Sequence, residues 1–113
     1  MSVGSEQIRK LLEKLVAASP AARDTAADAV TDWVRSYDLR EAAIISKLLI
    51  WLASAETDDS AKEAQLNALA ELATHNLVPS DVLAEVGRLS RAELRGSSIE
   101  HFDYLQSART AKQ

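Results

Sequence analysis

The stretch LREAAIISKLLIWLASA, residues 39–55, is apolar on nearly every side of a helix. One face of that helix carries Ile45 and Leu49, and a second face carries Ile44 and Trp51. A helix that is apolar all round is typical of the buried centre of a domain. We therefore predict that this helix forms the centre of an all-α domain, although part of its surface could instead be an oligomer interface.

Start signals divide the rest of the chain into further helices. Ser19 and Pro20 combine a capping serine with a proline at the first helical position, and Asp38 with Glu41 forms a capping box. Later helices are predicted to start near residues 60, 80 and 98, about 20 residues apart, and no segment alternates with the period of a strand. The sequence thus predicts one domain over residues 1–113, with a polar tail after about residue 109. We expect a compact bundle of five to six helices stacked as antiparallel HEAT-like hairpins.

Charge is spread unevenly along the chain, whose formal net charge is −4. The segment 56–85 carries seven acidic residues and one basic residue, Lys62, so its own net charge is −6. Such a segment repels nucleic acid and anionic lipid, and it attracts a basic protein. We therefore expect a basic protein partner, no nucleic-acid partner and no membrane partner.

The composition excludes several functional classes. The chain has no cysteine, which rules out a disulfide scaffold, a thiolate nucleophile and a zinc site with cysteine ligands. Residues 1–10 lack the apolar core of a signal peptide, and the longest apolar run, residues 48–53, is too short to span a bilayer. We expect a cytoplasmic protein. No phosphate-binding glycine loop or catalytic-serine motif is present, so we predict no cofactor.

Three aspartates, Asp24, Asp28 and Asp32, recur every four residues in RDTAADAVTDW, residues 23–33. On a helix they form one stripe, and like charges at that spacing oppose each other by roughly 0.2–0.5 kcal/mol per pair. Such a stripe could hold Mg²⁺, dock a basic partner or be a solvated face. Because acids are common on any exposed face, we predict a docking or solvated face rather than a metal site.

The histidines and arginines show weaker functional patterns. His75 lies at a predicted helix C-terminus, where a histidinium is favoured, and His101 is not at the Glu-x-x-His spacing of di-iron sites. Arg88, Arg91 and Arg95 would form one ridge only if their helix were continuous. Because a single ridge on an acidic domain supplies few phosphate contacts, we expect these arginines to pair with Glu85 and Glu93 or to serve solubility.

The aromatic residues divide into two groups. Trp33, Trp51 and Phe102 fall at core-facing positions, and we predict that all three are buried. Tyr104 lies with two acidic residues on the side of its helix away from the apolar residues. A tyrosine flanked by acids is suited to contact a basic partner.

The pattern of residues 39–106 resembles that of the small, acidic, α-helical immunity proteins of bacterial toxin systems. The stretches that carry the resemblance are AAIISKLLIWLASAETDDSAKEAQLNALAELATHNLVPSDVL and SSIEHFDYL. Several immunity proteins have HEAT-like hairpins. The resemblance implies a non-catalytic protein that neutralises a cognate toxin, a basic and nuclease-like one, by masking its active site or substrate surface.

A basic toxin would contact the acidic positions of the chain first. The loop between the third and fourth helices is the first candidate, followed by the end of the chain and then the aspartate stripe. We predict no catalytic residue and no metal ligand. The predicted partner-binding residues are Glu56, Asp58, Asp59, Glu63, Glu100, Asp103, Tyr104, Asp24, Asp28 and Asp32.

Two alternative classes remain open at the level of sequence. The first is a Mg²⁺-dependent enzyme similar to the all-α nucleotide pyrophosphohydrolases, in which Glu100 and Asp103 would be essential, although the paired ExxE motif of those enzymes is absent. The second is a homodimeric regulator or adaptor that uses the third helix as its interface.

Overall fold

The computed structural model describes residues 2–111, which form six α-helices. Three single turns of 3₁₀-helix, at Val34–Ser36, Val86–Arg88 and Arg91–Glu93, complete the helical structure. No strand occurs in the described part of the chain, so the predicted all-α class is confirmed. The α-helices are α1 (Ser5–Leu15), α2 (Pro20–Asp32), α3 (Leu39–Ala55), α4 (Asp59–Thr74), α5 (Ser80–Glu85) and α6 (Ser97–Ala111).

The last helix, α6, continues to the end of the described residues. Helix α6 continues to Ala111, past the point near Arg109 where the sequence predicts a polar tail. Residues 112 and 113 of that predicted tail lie outside the described residues.

Side-chain caps fix the starts of α2 and α3. The Ser19 hydroxyl accepts a hydrogen bond from the Ala22 N–H at 3.3 Å, with Pro20 as the first helical residue. The Asp38 carboxylate accepts from the Glu41 N–H at 2.7 Å, and the Glu41 carboxylate accepts from the Asp38 N–H at 3.0 Å. These bonds satisfy N–H groups that the first turn of a helix leaves unpaired, and both predicted caps are confirmed.

Helix α4 has a distinct cap at each end. The Asp58 carboxylate accepts from the Ala61 N–H at 2.9 Å, so the cap lies slightly earlier than the sequence predicts. At the other end Asn76 adopts a left-handed conformation with φ of 59°, and the Leu77 N–H donates to the Leu72 carbonyl at 2.9 Å. This arrangement is a Schellman motif, which reverses the chain immediately after the helix.

The helices pack in consecutive pairs and in two layers. Helix α1 packs on α2, α3 on α4, and α5 on α6, while α4 also lies between α2 and α6. The Cα atoms span 37 × 34 × 18 Å. That thickness fits two layers of helices at the usual interaxial spacing of about 8–10 Å. Helices α1, α3 and α5 form the odd layer, and α2, α4 and α6 form the even layer.

Helices α4 and α6, which are neighbours in the even layer, run in the same direction. Near the start of each helix, Glu63 of α4 contacts His101 of α6, with 3.1 Å between Oε2 and Nε2. Further along both helices, Thr74 lies 3.2 Å from the Tyr104 hydroxyl. Residue numbers therefore increase together along the two helices, as they do in an up-and-down stack.

Helix α4, rather than α3, is the central helix of the domain, which corrects the prediction. Helix α3 buries Ile45 and Leu49 but leaves Ile44 and Trp51 on an exposed face. Helix α4 is rich in alanine, and small side chains let neighbouring helices approach it from several sides at once. Its buried residues are Ala61, Ala64, Gln65, Leu66, Ala68, Leu69, Ala70 and Leu72.

Two of the three aromatic residues predicted to lie in the core are exposed. Trp33 is 55% exposed and Trp51 is 67% exposed, whereas Phe102 is buried as predicted. Helix α2 ends one residue before Trp33, and the 3₁₀ turn that follows directs Val34 inward instead. Trp51 lies on the outer face of α3, with Ile44, which is also exposed.

Candidate partner-binding surface

The predicted aspartate stripe is present on α2 and faces solvent. Asp28 and Asp32 are exposed and Asp24 is half-buried, while Ala26 and Val30 on the opposite side of the helix are buried. The stripe follows from the local sequence, because apolar residues fix one side of α2 in the core and residues four apart share the other side.

Helix α4 adds a fourth carboxylate to this stripe. The Ser60 hydroxyl of α4 donates a hydrogen bond to the Asp24 carboxylate. Partial burial raises the pKa of Asp28, and the negative charges of Asp24, Glu63 and Asp32 raise it further. Glu63 of α4 therefore acts electrostatically with the aspartates of α2. We call the four carboxylates of Asp24, Asp28, Asp32 and Glu63 the acidic seam.

The aspartates of the acidic seam have no cationic partner nearby. Across residues 2–111, no lysine, arginine or histidine nitrogen lies within 4.0 Å of the Asp24, Asp28 or Asp32 carboxylates. Glu63 differs, since its Oε2 lies 3.1 Å from Nε2 of His101 on α6. The negative charge of the aspartates is thus left for solvent or for a partner to balance.

The structure corrects the prediction that Glu56 contacts a partner. Glu56 is only 8% exposed, and its carboxylate accepts two hydrogen bonds from Arg23, at 2.7 and 2.8 Å. The Arg23 guanidinium holds the pKa of Glu56 at about 2, despite the opposing effect of burial. The backbone N–H of Asp58 and the Gln65 side-chain amide also donate to this carboxylate, at 3.1 and 2.9 Å. Glu56 joins α2 to the start of α4 and is not available to a partner.

The two acids beside Glu56 also have roles within the fold. Asp58 is half-buried, and one of its carboxylate oxygens caps α4. Asp59 is exposed, with its carboxylate 3.9 Å from the Arg95 guanidinium, and both side chains are largely in solvent. The loop between α3 and α4 therefore offers a partner one exposed carboxylate rather than the three predicted there.

Of the three partner-binding residues predicted on α6, two are left without a cationic partner in the described chain. Glu100, Asp103 and Tyr104 are all exposed. Asp103 accepts two hydrogen bonds from Arg91, at 2.9 and 3.0 Å, and this contact lowers the pKa of Asp103. Because Arg91 neutralises Asp103, the anionic and aromatic contacts that remain on α6 are Glu100 and Tyr104.

The arginines do not form the ridge considered from the sequence. The chain leaves α5 at Glu85 and passes through two 3₁₀ turns, so Arg88, Arg91 and Arg95 do not share one helix. Arg88 instead pairs with Glu85 at 3.0 Å, as the sequence suggests. The expected pair with Glu85 is confirmed, whereas Arg91 pairs with Asp103 rather than with the expected Glu93, and Arg95 lies 3.9 Å from Asp59.

Sequence reasoning missed the contribution of His101 and Ser60 to this surface. Both residues reach the acidic seam from other helices, His101 through Glu63 and Ser60 through Asp24. These pairs are separated by 38 and 36 residues in the sequence. The regular spacing of the predicted helix starts was the available signal. In a stack of helical hairpins every second helix runs in the same direction, so α2, α4 and α6 could have been aligned side by side.

The described residues offer no assembled metal site. Between residues 2 and 111, no three histidine, aspartate or glutamate side chains are grouped so that they could hold a metal ion. His75 caps the C-terminus of α4, where the sequence places it. The acidic seam is accordingly a charged surface in which no three side chains are grouped to hold a metal ion.

Comparison with protein-family profiles, with curated proteins and with solved structures finds no match to this chain. None of the helices in the described part is both long enough and apolar enough to cross a membrane. What the protein does must therefore be inferred from its own surface.

Proposed function

We propose that the protein is a non-catalytic inhibitor that binds a basic protein through the acidic seam, as an immunity protein binds a nuclease-like toxin. The observation that carries the proposal is the acidic seam itself. It places the carboxylates of Asp24, Asp28, Asp32 and Glu63 on adjacent helices, and the three aspartates have no cation within 4.0 Å in the described chain.

The electrostatic cost of the acidic seam supports a role in binding. Asp28 has a raised pKa because ionising it is opposed by partial burial and then by its acidic neighbours. A fold gains nothing from this repulsion, whereas a basic partner would relieve it. Sites that bind a ligand commonly retain such unfavourable charges at the expense of stability.

The proposed mechanism is electrostatic attraction followed by steric masking. A nuclease-like toxin carries cationic groups that hold phosphates, and an acidic surface attracts those groups and speeds the encounter. Once docked, the seam covers the phosphate-binding groups and excludes the substrate. Glu100 and Tyr104 on α6 would form the edge of this contact, since both are exposed in the same layer.

Affinity capture from the lysate of the source organism tests this proposal. The tagged protein is expected to retain one basic protein in stoichiometric amount at moderate salt and to release it at high salt, because screening weakens the attraction. The inhibitory part of the proposal is tested next, by adding the chain to the captured protein and measuring loss of its nucleic-acid cleavage.

Two charge-matched variants show whether the acidic seam is responsible. The variant D28K/D32K reverses two seam charges, and D81K/E93K reverses two exposed acids outside it. Each pair changes the net charge by the same amount. Loss of capture in D28K/D32K alone supports the proposal, and equal capture by both variants would refute it.

A further inference from the structure

The outer face of α3 carries a stripe of alternating cationic and apolar residues. Arg40, Ile44, Lys47 and Trp51 are spaced by four, three and four residues, so they lie along one side of the helix. All four are exposed, with Trp51 at 67% and Ile44 at 46%. We call these four residues the α3 outer stripe. It belongs to the odd layer, and the acidic seam belongs to the even layer.

A groove of about 420 Å³ runs along this stripe between α1 and α3. It is lined by Leu12 of α1 and by Ile44, Lys47, Leu48 and Trp51 of α3. Leu12 and Leu48 are partly buried and form its floor, while Ile44 and Trp51 stand more exposed at its edge. Contiguous exposed apolar surface of this kind is typical of a binding site.

The charges around the groove determine the kind of occupant. None of its lining residues is acidic, and Lys47 is its one charged member. Within the described residues, neither Arg40 nor Lys47 has a carboxylate within 4.0 Å. The α3 outer stripe therefore lacks the counter-charges that an occupant would supply.

We propose that the groove between α1 and α3 binds an acidic amphipathic helix of a partner protein. A groove between two helices accepts a third helix, whose apolar residues at positions i, i+4 and i+7 would cover Leu48, Ile44 and Trp51. Acidic residues along the edge of that helix would meet Arg40 and Lys47. This proposal does not depend on the acidic seam, because the groove is on the other layer.

Two other occupants fit the observations less well. A second copy packed symmetrically on this face would offer Arg40 and Lys47 no acidic residue, because neither the α3 outer stripe nor the groove lining contains one. An anionic membrane would match the tryptophan and the cations, but a flat lipid surface cannot reach the recessed Leu12 and Leu48 as a helix can.

A synthetic peptide titration tests the proposal with Trp51 as the reporter. The variant W33F leaves Trp51 as the sole tryptophan, because the chain contains two. The probe is a helical peptide with leucine at positions i, i+4 and i+7 and glutamate along its edges. A peptide of the same composition in shuffled order is the control. We expect saturable binding of the first peptide, with a blue shift of Trp51 emission as the indole leaves water.

Charge reversal in the W33F background distinguishes a specific contact from general attraction. We expect R40E/K47E to weaken binding of the acidic peptide by about tenfold or more, because it places like charges opposite each other. The variant R88E/R95E makes the same change in net charge at exposed sites away from the groove, and it should bind nearly as the unreversed chain does.

Four results would overturn the proposal. The first is that the acidic peptide binds no more tightly than the shuffled one, and the second is that both charge-reversed variants weaken binding equally. The third is a shift of Trp51 emission with vesicles of anionic phospholipid but not with the peptide, which would identify a membrane-binding face. The fourth is self-association, seen by light scattering and abolished by W51D, which would identify the occupant as a second copy.

Discussion

Asp28 and Glu56 are carboxylates whose surroundings shift their pKa values in opposite directions. The Arg23 guanidinium holds the pKa of Glu56 at about 2. Partial burial and the neighbouring charges of Asp24 and Glu63 raise the pKa of Asp28 instead. At neutral pH the charge on Glu56 therefore stabilises the fold, while the charge on Asp28 costs stability. This contrast separates an acid that maintains the fold from an acid suited to a partner.

Replacing Glu56 by glutamine should destabilise the protein at neutral pH. The substitution leaves the half-buried Arg23 without its counter-charge, and breaking a buried ion pair costs about 3 kcal/mol. Urea unfolding of E56Q at neutral pH measures the loss.

The pH dependence of that loss tests its electrostatic origin. A lowered pKa contributes stability that is complete above the ordinary pKa of glutamate and is lost as the pH falls through the folded-state value, about 2 here. The difference between wild type and E56Q should therefore shrink in acid. A difference that stays constant with pH would show that packing, and not charge, is responsible.

Replacing Asp28 by asparagine should have the opposite effect. Removing the charge relieves the repulsion from Asp24 and Asp32, at roughly 0.2–0.5 kcal/mol for each pair spaced by four residues. The folded-state pKa of Asp28 is raised, so its ionised form is the unfavourable one. We expect D28N to unfold at higher urea concentration than wild type at neutral pH, with the gain fading as the pH falls through that pKa.

Glu93 provides a control for the D28N measurement. It is exposed and lies outside the acidic seam, so E93Q should change the free energy of unfolding much less at either pH. If D28N is no more stable than E93Q at neutral pH, the seam imposes no electrostatic cost.

The roles of these two acids were predictable from the sequence to different extents. The four-residue spacing of the aspartates predicts that they share one side of α2, and the structure shows them there. The burial of Glu56 does not follow, because its partner Arg23 is 33 residues away in the sequence. A local pattern shows which acids share a helix face but not which distant cation comes to meet them.

At the scale of elements, Glu41 joins the start of the chain to α3. Its carboxylate completes the capping box and also accepts hydrogen bonds from the N–H groups of Val3 at 3.1 Å and Gly4 at 2.9 Å. Burial opposes ionisation of this side chain. The three backbone donors outweigh burial, so the pKa of Glu41 is lowered. One carboxylate thus fixes both the entry to α1 and the start of α3.

Replacing Glu41 by alanine should release both elements together. We expect a loss of about 2 kcal/mol in the free energy of unfolding, because partly buried N–H groups lose an ionised acceptor. Amide hydrogen exchange at Val3 and Gly4, followed by NMR, should become faster. The control is E13A, on the exposed side of α1, which should leave both amides unchanged. Unaltered exchange in E41A would refute this tether.

Helix positions were more predictable than helix environments. The starts of α3 to α6 fall close to the predicted positions, because caps and turn residues act locally. Apolar content did not predict which helix is central. The strongly apolar α3 lies in the odd layer, whereas the alanine-rich α4 lies between α2 and α6. Trp51 was misplaced for the same reason. An apolar helix face indicates a contact, and that contact need not lie within the domain.

At the scale of the whole molecule, the two layers carry different surfaces. The even layer presents the acidic seam, and the odd layer presents the α3 outer stripe with its cations and Trp51. The sequence predicts an acidic middle segment, 56–85, but the acidic seam combines one residue of that segment, Glu63, with aspartates of α2. Only the packing of α2 on α4 brings those residues together, so the location of the surface depends on the tertiary fold.

Association kinetics with the captured basic partner test the role of the acidic seam most directly. The rate constant would be measured by stopped-flow for the wild type, D28K/D32K and D81K/E93K over a range of salt concentrations. We expect D28K/D32K to associate about tenfold more slowly or worse at low salt, with a weaker salt dependence, while D81K/E93K stays close to wild type. Equal rate constants for the two charge-matched variants would contradict a docking role for the seam.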